Sequence, residues 1–178
     1  MDPAHAMIDF IATRDHRLMR RVNRWSAPRW VRVWMLCASR GGDGWLWYAV
    51  GIALLIYDGS RALPAVVAAA LAGVLSTLAF LLLKRMAARR RPCDFEPHCW
   101  ASLLPPDQFS FPSGHTMAAF AIAVPLSLFY PPLTAGLLFC AVSIAISRIL
   151  LGMHFLSDVI AGAMIGASAG YAVAALFR

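Results

Sequence analysis

The chain has 178 residues, of which 60% are hydrophobic and only 14% are charged. Soluble domains carry about 25% charged residues, so this composition excludes an ordinary soluble fold and indicates a membrane protein. The net charge of +7 would suit a nucleic acid, but the basic residues lie beside the ends of apolar segments and no nucleic-acid-binding motif is present, so we expect no such partner.

Residues 1–43 are predicted to form an N-terminal amphipathic segment that lies in the membrane interface. Apolar and basic side chains separate onto different helical faces here, as in helices that lie on a bilayer rather than cross it. A solvated basic arm is the alternative, which this separation disfavours. Pro28 ends the first helix, and a second short piece follows. The apolar face carries Ile8, Ile11, Leu18, Val22 and Trp25, and the basic face carries Arg14, Arg17, Arg21 and Arg24.

Residues 44–178 are predicted to form one all-α transmembrane domain. The uncharged run 62–83 is long enough to cross the hydrocarbon core as a helix. Pro131 and Pro132 predict a tight turn between two shorter apolar runs. We therefore expect a polytopic membrane helix bundle of five to six transmembrane helices. The five apolar segments are residues 44–57, 62–83, 116–130, 133–146 and 155–177.

Three polar clusters lie at the ends of these segments, in residues 84–92, 112–115 and 147–158. If the segments cross the membrane in alternation, all three clusters reach the same face. Hydropathy does not require this coincidence, and polar groups at membrane depth are costly enough that they usually have a function. The clusters therefore predict one functional site at one end of the bundle.

The residues of these clusters suit a phosphate ligand. Lys84, Arg91 and Arg148 can each give charge-assisted hydrogen bonds to phosphoryl oxygens. Ser113 is a candidate N-cap of a helix whose first backbone N–H groups form an anion site, and Gly114 lets the backbone approach an oxygen closely. The other basic residues of the first cluster are interpreted as contacts to lipid head groups. These are Arg85, Arg89 and Arg90.

His154 and Asp158 are four residues apart, a spacing that puts two side chains on one helical face. The carboxylate can then keep one imidazole nitrogen protonated and leave the other free to attack. His115, from another helix, is a candidate general acid for the leaving oxygen. Each residue alone would more often be a helix cap, a packed polar group or a charge at a helix start. Their combination at one membrane face favours catalysis.

Together these residues resemble, in order and spacing, the three-part motif of the type 2 phosphatidic acid phosphatase (PAP2) superfamily. Membrane members of this family commonly have six spans, so the first forty residues depart from the family pattern. The three parts are Lys84 to Arg91-Pro92, then Pro112-Ser113-Gly114-His115, then Ser147-Arg148 with His154 and Asp158.

The resemblance implies a phosphohistidine intermediate on His154, with Asp158 as its orienting group and His115 as the general acid. It implies a lipid phosphate as substrate, and neither a metal nor a cofactor. Bacterial members of similar size act on polyprenyl diphosphates, phosphatidylglycerol phosphate or phosphatidate, among which the sequence does not choose. The phosphate-binding residues implied are Lys84, Arg91, Ser113, Gly114 and Arg148.

We therefore expect an integral-membrane lipid phosphatase. One alternative is a phosphotransferase that passes the phosphoryl group to a second lipid or sugar, which differs in whether water or a hydroxyl intercepts the intermediate. Another is a catalytically silent lipid-binding or transport relative, which the presence of every expected catalytic residue disfavours. The expected partners are the lipid bilayer and a membrane lipid phosphate, and the sequence defines no oligomeric state.

The expected location is the bacterial inner membrane, where two patterns disagree about the side that carries the site. With alternating spans, fourteen of the sixteen Lys and Arg residues lie on the side of the site, and the positive-inside rule makes that side cytoplasmic. The family resemblance, with a sixth span hidden in the first forty residues, favours the periplasmic face, which is our expectation. Cys93 and Cys99 lie in the loop on the side of the predicted site. Three interpretations stay open for them: a disulfide, an incidental pair, or half of a metal site.

Overall fold

Apolar runs fold into helices that reverse direction where turn residues separate them. Gly59, with a φ of +58°, allows the turn between the third and fourth helices, and Pro131 and Pro132 lie in the predicted turn between the fifth and sixth. The computed structural model describes residues 3–94 and 109–178. These ranges form seven α-helices, namely α1 Pro3–Arg24, α2 Arg29–Gly41, α3 Trp45–Asp58, α4 Leu63–Ala87, α5 Gly114–Phe129, α6 Thr134–Leu150 and α7 Leu156–Ala175.

The predicted all-α membrane bundle is confirmed. In the described ranges, three helical segments are long and apolar enough to cross a membrane: Trp45–Ala87, Pro131–Leu150 and Leu156–Ala175. The first comprises α3 and α4. Trp47 of α3 and Ala70 of α4 line the same cavity, on either side of the Gly59 turn. The two helices therefore form an antiparallel hairpin. Helix α5 is apolar but shorter. The five apolar helices α3 to α7 correspond to the five predicted segments.

Small residues bring the helices of the bundle close together. Helix α5 lies at the centre and contacts α4, α6 and α7. Three glycines of α7, spaced by four residues, pack directly on the backbone of α5, and a Cβ at Gly166 would lie only 2.1 Å from the carbonyl oxygen of Met117. This confirms the close packing that a glycine stripe predicts. The stripe consists of Gly162, Gly166 and Gly170.

Large apolar side chains cover the outside of the bundle rather than its centre. On α4 alone, nine of them are exposed, which is the arrangement expected for a helix that faces lipid. The buried centre is built instead from alanines of α4 and α5. The exposed side chains on α4 include Val67, Leu71, Leu75, Leu78 and Leu82.

Helices α1 and α2 pack against the end of the bundle where the predicted polar clusters lie. Helix α2 contacts α6, with the Trp34 and Phe139 rings 5.5 Å apart. Helix α1 ends at Arg24, four residues before Pro28, and contacts the start of α7. Its buried side includes Asp15 and Met19, while several of its apolar side chains are exposed.

Candidate active site

One cavity of about 660 Å³ brings together residues from all three predicted polar clusters. Arg91 follows α4, His115 lies in the first turn of α5, Arg148 lies in the last turn of α6, and His154 precedes α7. These helix ends meet because the chain crosses the bundle in alternation, as the sequence predicted. The turn between α2 and α3 adds Asp43 to the same cavity.

His154 is only 3% exposed and lies in the connection before α7, not on the helix face that its spacing to Asp158 had suggested. Its Nδ1 is 2.6 Å from the backbone carbonyl oxygen of Ser110. A carbonyl oxygen only accepts hydrogen bonds, so Nδ1 carries the proton and Nε2 keeps its lone pair. Nε2 lies 3.3 Å from Nη1 of Arg91. The imidazole is therefore oriented with its basic nitrogen toward the arginines of the cavity.

The surroundings of His154 keep its imidazole neutral. Burial away from water lowers the pKa of His154 to about 4, and the positive charges of Arg91 and Arg148 act in the same direction. The nearby carboxylate of Asp158 opposes them without reversing the shift. At neutral pH the side chain is a free base, which is the form that a nucleophile needs.

Asp158 is fully buried, and its carboxylate caps the first turn of α7. Oδ2 accepts a hydrogen bond of 2.8 Å from the backbone N–H of Phe155, and Oδ1 accepts one of 2.7 Å from Arg89. The distance from Oδ2 to Nδ1 of His154 is 3.8 Å, beyond hydrogen-bond range. The direct bond expected between these two side chains is absent because the Ser110 carbonyl takes Nδ1 and the helix start takes the carboxylate.

Arg89 contacts buried carboxylates, and its interpretation as a contact to lipid head groups is wrong. Its guanidinium forms ion pairs with Asp158 and with Asp15 of α1, at 2.7 and 2.8 Å. It also lies 4.3 Å over the ring of Phe155. Burial of two carboxylates beside it explains this inward orientation, since each needs a cationic partner. Arg85 and Arg90 are exposed, as surface cations would be.

The residues predicted to bind phosphate surround the cavity in two layers. Arg91 and Arg148 are buried and line it directly. Nη1 of Arg91 donates to the Met153 carbonyl oxygen at 2.8 Å, and Nη1 of Arg148 donates to Ser39 Oγ at 2.5 Å. These bonds hold both guanidiniums in place at the cavity wall.

Gly114 also lines the cavity, while Lys84 and Ser113 lie just behind its wall. A Cβ at Gly114 would come within 3.0 Å of the Phe80 ring, and Nζ of Lys84 lies 4.8 Å from the centre of that ring. Ser113 occupies the predicted N-cap position, but its Oγ lies 2.9 Å from Thr116 Oγ1 and makes no bond to the helix backbone.

His115 has a partner that the sequence did not indicate. Nε2 lies 2.7 Å from Oδ1 of Asp43, and because a carboxylate only accepts, this nitrogen carries a proton. A Cβ at Gly42 would lie 2.9 Å from Cδ2 of His115, so the glycine leaves room for the ring. Asp43 and Ser110 are the site residues that sequence reasoning missed. A turn aspartate and a loop carbonyl carry no motif signal, and only the fold brings them to the histidines.

The other end of the cavity is apolar and reaches the outer surface of the bundle. Val74 and Leu78 of α4, Ile122 of α5 and Trp47 and Tyr48 of α3 line it. Val74, Leu78 and Tyr48 are all more than half exposed. A ligand with a charged head and a long apolar tail would fit both ends at once.

Two further expectations concern a metal site and the cysteine pair. In residues 3–94 and 109–178, no group of three or more His, Cys, Asp or Glu side chains could hold a metal ion. Cys37 and Cys140 are free thiols. The side chain of Cys93 and the whole of Cys99 lie outside the described residues, so the proposals for that pair stay predictions.

Known proteins share this fold and these motifs. Residues 61–178 match the PAP2 superfamily. A lipid A 1-phosphatase from Rhizobium johnstonii is 36% identical over 98 residues, which are 53% of this chain and 40% of that protein. This chain thus matches less than half the length of that relative. A decaprenylphosphoryl-5-phosphoribose phosphatase from Mycobacterium tuberculosis is 35% identical over 147 residues, 78% of each chain.

A solved structure shares the architecture as well. The transmembrane PAP2-type phosphatidylglycerolphosphate phosphatase from Bacillus subtilis superposes with a TM-score of 0.71 at 25% identity, over 93% of this chain and 85% of that one. The apolar bundle of this chain thus has the same architecture as that membrane protein. The chain belongs to the PAP2 superfamily, and the resemblance seen in its three motifs is confirmed.

Proposed function

We propose that this protein is an integral-membrane phosphatase that hydrolyses a phosphomonoester or diphosphate lipid through a phosphohistidine intermediate on His154. One observation carries the proposal: the basic Nε2 of a buried, neutral imidazole faces a cavity that holds two arginines at one end and an apolar groove at the other.

In the first step, the lone pair of His154 Nε2 attacks phosphorus and the bond from phosphorus to the leaving oxygen breaks. Positive charge then develops on the imidazole, whose Nδ1–H is bonded to the Ser110 carbonyl oxygen. The Asp158 carboxylate, 3.8 Å from Nδ1, stabilises this charge through space rather than by a direct bond. The role proposed for Asp158 is therefore electrostatic as well as structural.

His115 supplies the proton that the leaving oxygen needs. Its Nε2–H is bonded to Asp43 in the free protein. In the imidazolium form the other ring nitrogen, Nδ1, also carries a proton, and the leaving oxygen would take this second proton as it departs, which leaves His115 neutral. A water molecule then attacks the phosphohistidine, His115 accepts a proton from that water, and the phosphorus–nitrogen bond breaks to return the electron pair to Nε2. The products are inorganic phosphate and the dephosphorylated lipid.

Arg91 and Arg148 would neutralise the charge of the phosphoryl oxygens, with the backbone N–H groups at the start of α5 beside Gly114. Ser113 and Lys84 would complete the phosphate site from behind the cavity wall. Divalent cations perform this neutralisation in many phosphatases, so fixed guanidiniums support a reaction that needs no metal. We accordingly expect full activity in the presence of a chelator.

The apolar groove supports a lipid substrate that enters sideways from the bilayer. Relatives of this chain are named for lipid A and for a decaprenyl-linked phosphate, so substrates of both kinds belong in the test, with polyprenyl diphosphate, phosphatidylglycerol phosphate and phosphatidate. The bacterial inner membrane, with several crossings, is the location proposed for the enzyme.

The test is phosphate release by the purified protein from this panel and from a soluble sugar phosphate. We expect release from one or more long-chain substrates, none from the sugar phosphate, and none in His154→Ala, which should stay folded. An acid-labile, base-stable radiolabel on the wild type, lost in His154→Ala, would identify the phosphohistidine. Phosphate transfer to an added lipid hydroxyl without release would favour the phosphotransferase instead.

A matched pair of variants tests the groove. Val74→Trp fills its apolar end, whereas Val67→Trp makes the same change at an exposed position of α4 that does not line the cavity. We expect Val74→Trp to raise KM for long-chain substrates and Val67→Trp to leave KM unchanged. Equal effects of the two variants would contradict lipid binding in this groove.

A further inference from the structure

Asp15 is a buried carboxylate on a helix that otherwise presents basic side chains. It is 4% exposed, and its position on α1 is 142 residues away in sequence from the α7 residue that it contacts. Oδ1 accepts a hydrogen bond of 3.2 Å from the backbone N–H of Ser157. Oδ2 accepts bonds from Ser157 Oγ and, at 2.8 Å, from Nη2 of Arg89. Both partners lie beside the candidate active site, since Arg89 also contacts Asp158 and Ser157 is the residue before Asp158.

Arg89 connects Asp15 to the acidic residue beside the nucleophile. While Nη2 donates to Asp15, Nη1 donates to Asp158 Oδ1 and to Ser157 Oγ, both at 2.7 Å. The guanidinium therefore lies between two buried carboxylates, with its Cζ 4.3 Å from the centre of the Phe155 ring. Removing one carboxylate would leave this cation free to turn toward solvent or to rotate away from Asp158.

Arg89 also acts on His154 through its backbone, by way of Ser110. Its carbonyl oxygen accepts a hydrogen bond of 2.7 Å from the N–H of Ser110, and the carbonyl oxygen of Ser110 is the acceptor for His154 Nδ1. The two groups that act on His154, the Ser110 carbonyl and the Asp158 carboxylate, are thus both held by Arg89. A displacement of this one arginine would disturb both.

We propose that Asp15 is a positioning residue for the nucleophile, which makes the amphipathic helix α1 a structural part of the active site and not only a membrane contact. Asp15 touches none of the reacting atoms and does not line the cavity. It acts by fixing Arg89, and through Arg89 the groups that orient and stabilise the His154 imidazole. This inference rests on the proposed function of His154.

The test compares Asp15→Asn with Asp9→Asn in the full-length protein. Both changes remove one carboxylate from α1 at nearly constant volume, but Asp9 is exposed while Asp15 is buried against Arg89. The readouts are kcat, KM, the single-turnover rate of phosphoenzyme formation, and Tm in detergent, with whichever lipid the wild type hydrolyses.

We expect Asp15→Asn to lower kcat and the rate of phosphoenzyme formation by about 10- to 100-fold, as is typical for residues that orient a functional group from behind. KM should change little, because α1 does not contact the groove. Asp15→Glu, which keeps the charge, should recover part of the lost rate, and Asp9→Asn should match the wild type.

Two results would overturn the inference. One is wild-type kcat in Asp15→Asn, and the other is a lowered Tm with an unchanged rate of phosphoenzyme formation, which would mean that Asp15 only stabilises the fold. If Asp15→Asn fails to fold, Arg89→Lys is measured instead, because it keeps the positive charge but cannot contact Asp15 and Asp158 through two nitrogens at once. A wild-type rate of phosphoenzyme formation in that variant would contradict the proposal. A wild type that is inactive on every lipid would refute the proposed function instead.

Discussion

The chemistry of a single imidazole determines how this site should respond to pH. Burial, with Arg91 and Arg148 nearby, lowers the pKa of His154 to about 4 from its ordinary value of 6.5. The protonated form cannot attack phosphorus, so on the acid side activity should be lost as the pH falls through about 4. We expect the low-pH limb of kcat/KM, corrected for the separately measured titration of the substrate phosphate, to lie near pH 4. A limb near 6.5 would show that His154 is not buried and neutral as described.

Asp43 is the second residue whose contact leads to a kinetic prediction. It accepts the Nε2–H of His115 at 2.7 Å, so Asp43→Ala should misorient the general acid. We expect kcat to fall by about 10-fold or more for an alkyl phosphate lipid, toward the ~10²-fold or larger loss expected for His115→Gln. An aryl phosphate with an attached alkyl chain has a better leaving group that needs no acid, so its loss should be small.

Asp58→Ala is the control for this experiment. Asp58 is also a turn aspartate, but it accepts a hydrogen bond of 2.9 Å from the Tyr130 hydroxyl, away from the cavity. This variant should keep wild-type rates on both substrates. Equal losses on the two substrates in Asp43→Ala would argue against a role through His115 and for a general disturbance of the site.

The element that determines the geometry of the site is the contact between α5 and α7. A Cβ at Gly166 would lie 2.1 Å from the Met117 carbonyl oxygen, whereas one at Gly136 of α6 would meet nothing within 4 Å. Gly166→Ala must therefore push two backbones apart, at a cost of about 1–3 kcal/mol or more. Gly136→Ala should instead stabilise its helix by roughly 0.5–1 kcal/mol. Thermal unfolding in detergent measures both, and equal Tm values for the two variants would contradict this packing.

Sequence periodicity and motif spacing predicted the helices and the cavity because both depend on local information. Apolar runs and turn residues determine where each helix lies, and alternation then brings the three polar clusters to one end. Lys84, His115 and Arg148 could be assigned to that end without coordinates. The spacing by four of Gly162, Gly166 and Gly170 is also typical of close helix packing, although it does not show which helix they contact.

The supports of the two histidines were not predictable in this way. Asp15 meets Ser157 across 142 residues, Asp43 meets His115 across 72, and Ser110 reaches His154 across 44. Each is an ordinary polar residue in its local context, and an arginine such as Arg89 beside a membrane helix normally contacts head groups. Only tertiary packing determines that these groups are buried together, and burial is what requires them to pair.

For the whole molecule, the position of the first forty residues bears on its orientation in the membrane. Asp15 contacts Ser157 at the start of α7, Ala27 packs with Leu150 at the end of α6, and Ser39 accepts a bond from Arg148. All three points lie at the end of the bundle that carries the cavity. The described part of α1 before Asp15, from Pro3 on, spans ~18 Å, which is less than a ~30 Å hydrocarbon core.

This arrangement leaves no sixth crossing in the described part of the first forty residues, and the periplasmic expectation depended on one. Fourteen of the sixteen Lys and Arg residues then lie on the side of the cavity, with Arg61 and Arg178 on the other. Even without Lys84, Arg91 and Arg148, for which phosphate binding is proposed, the imbalance is eleven to two. The positive-inside rule therefore favours a cavity that faces the cytoplasm.

Two single-cysteine proteins, made in a background that lacks the other cysteines, test this orientation in intact cells. One retains Cys99, in the connection between α4 and α5, and the other carries Ser60→Cys in the exposed turn between α3 and α4 at the opposite end of the bundle. Each must first be shown to keep phosphatase activity. With an impermeant thiol reagent, we expect Ser60→Cys to be labelled in intact cells and Cys99 only after the inner membrane is opened, because the basic end should stay inside. The reverse pattern would place the active site in the periplasm, and would mean that the charge of the first forty residues serves lipid binding on the outer leaflet instead of setting the topology.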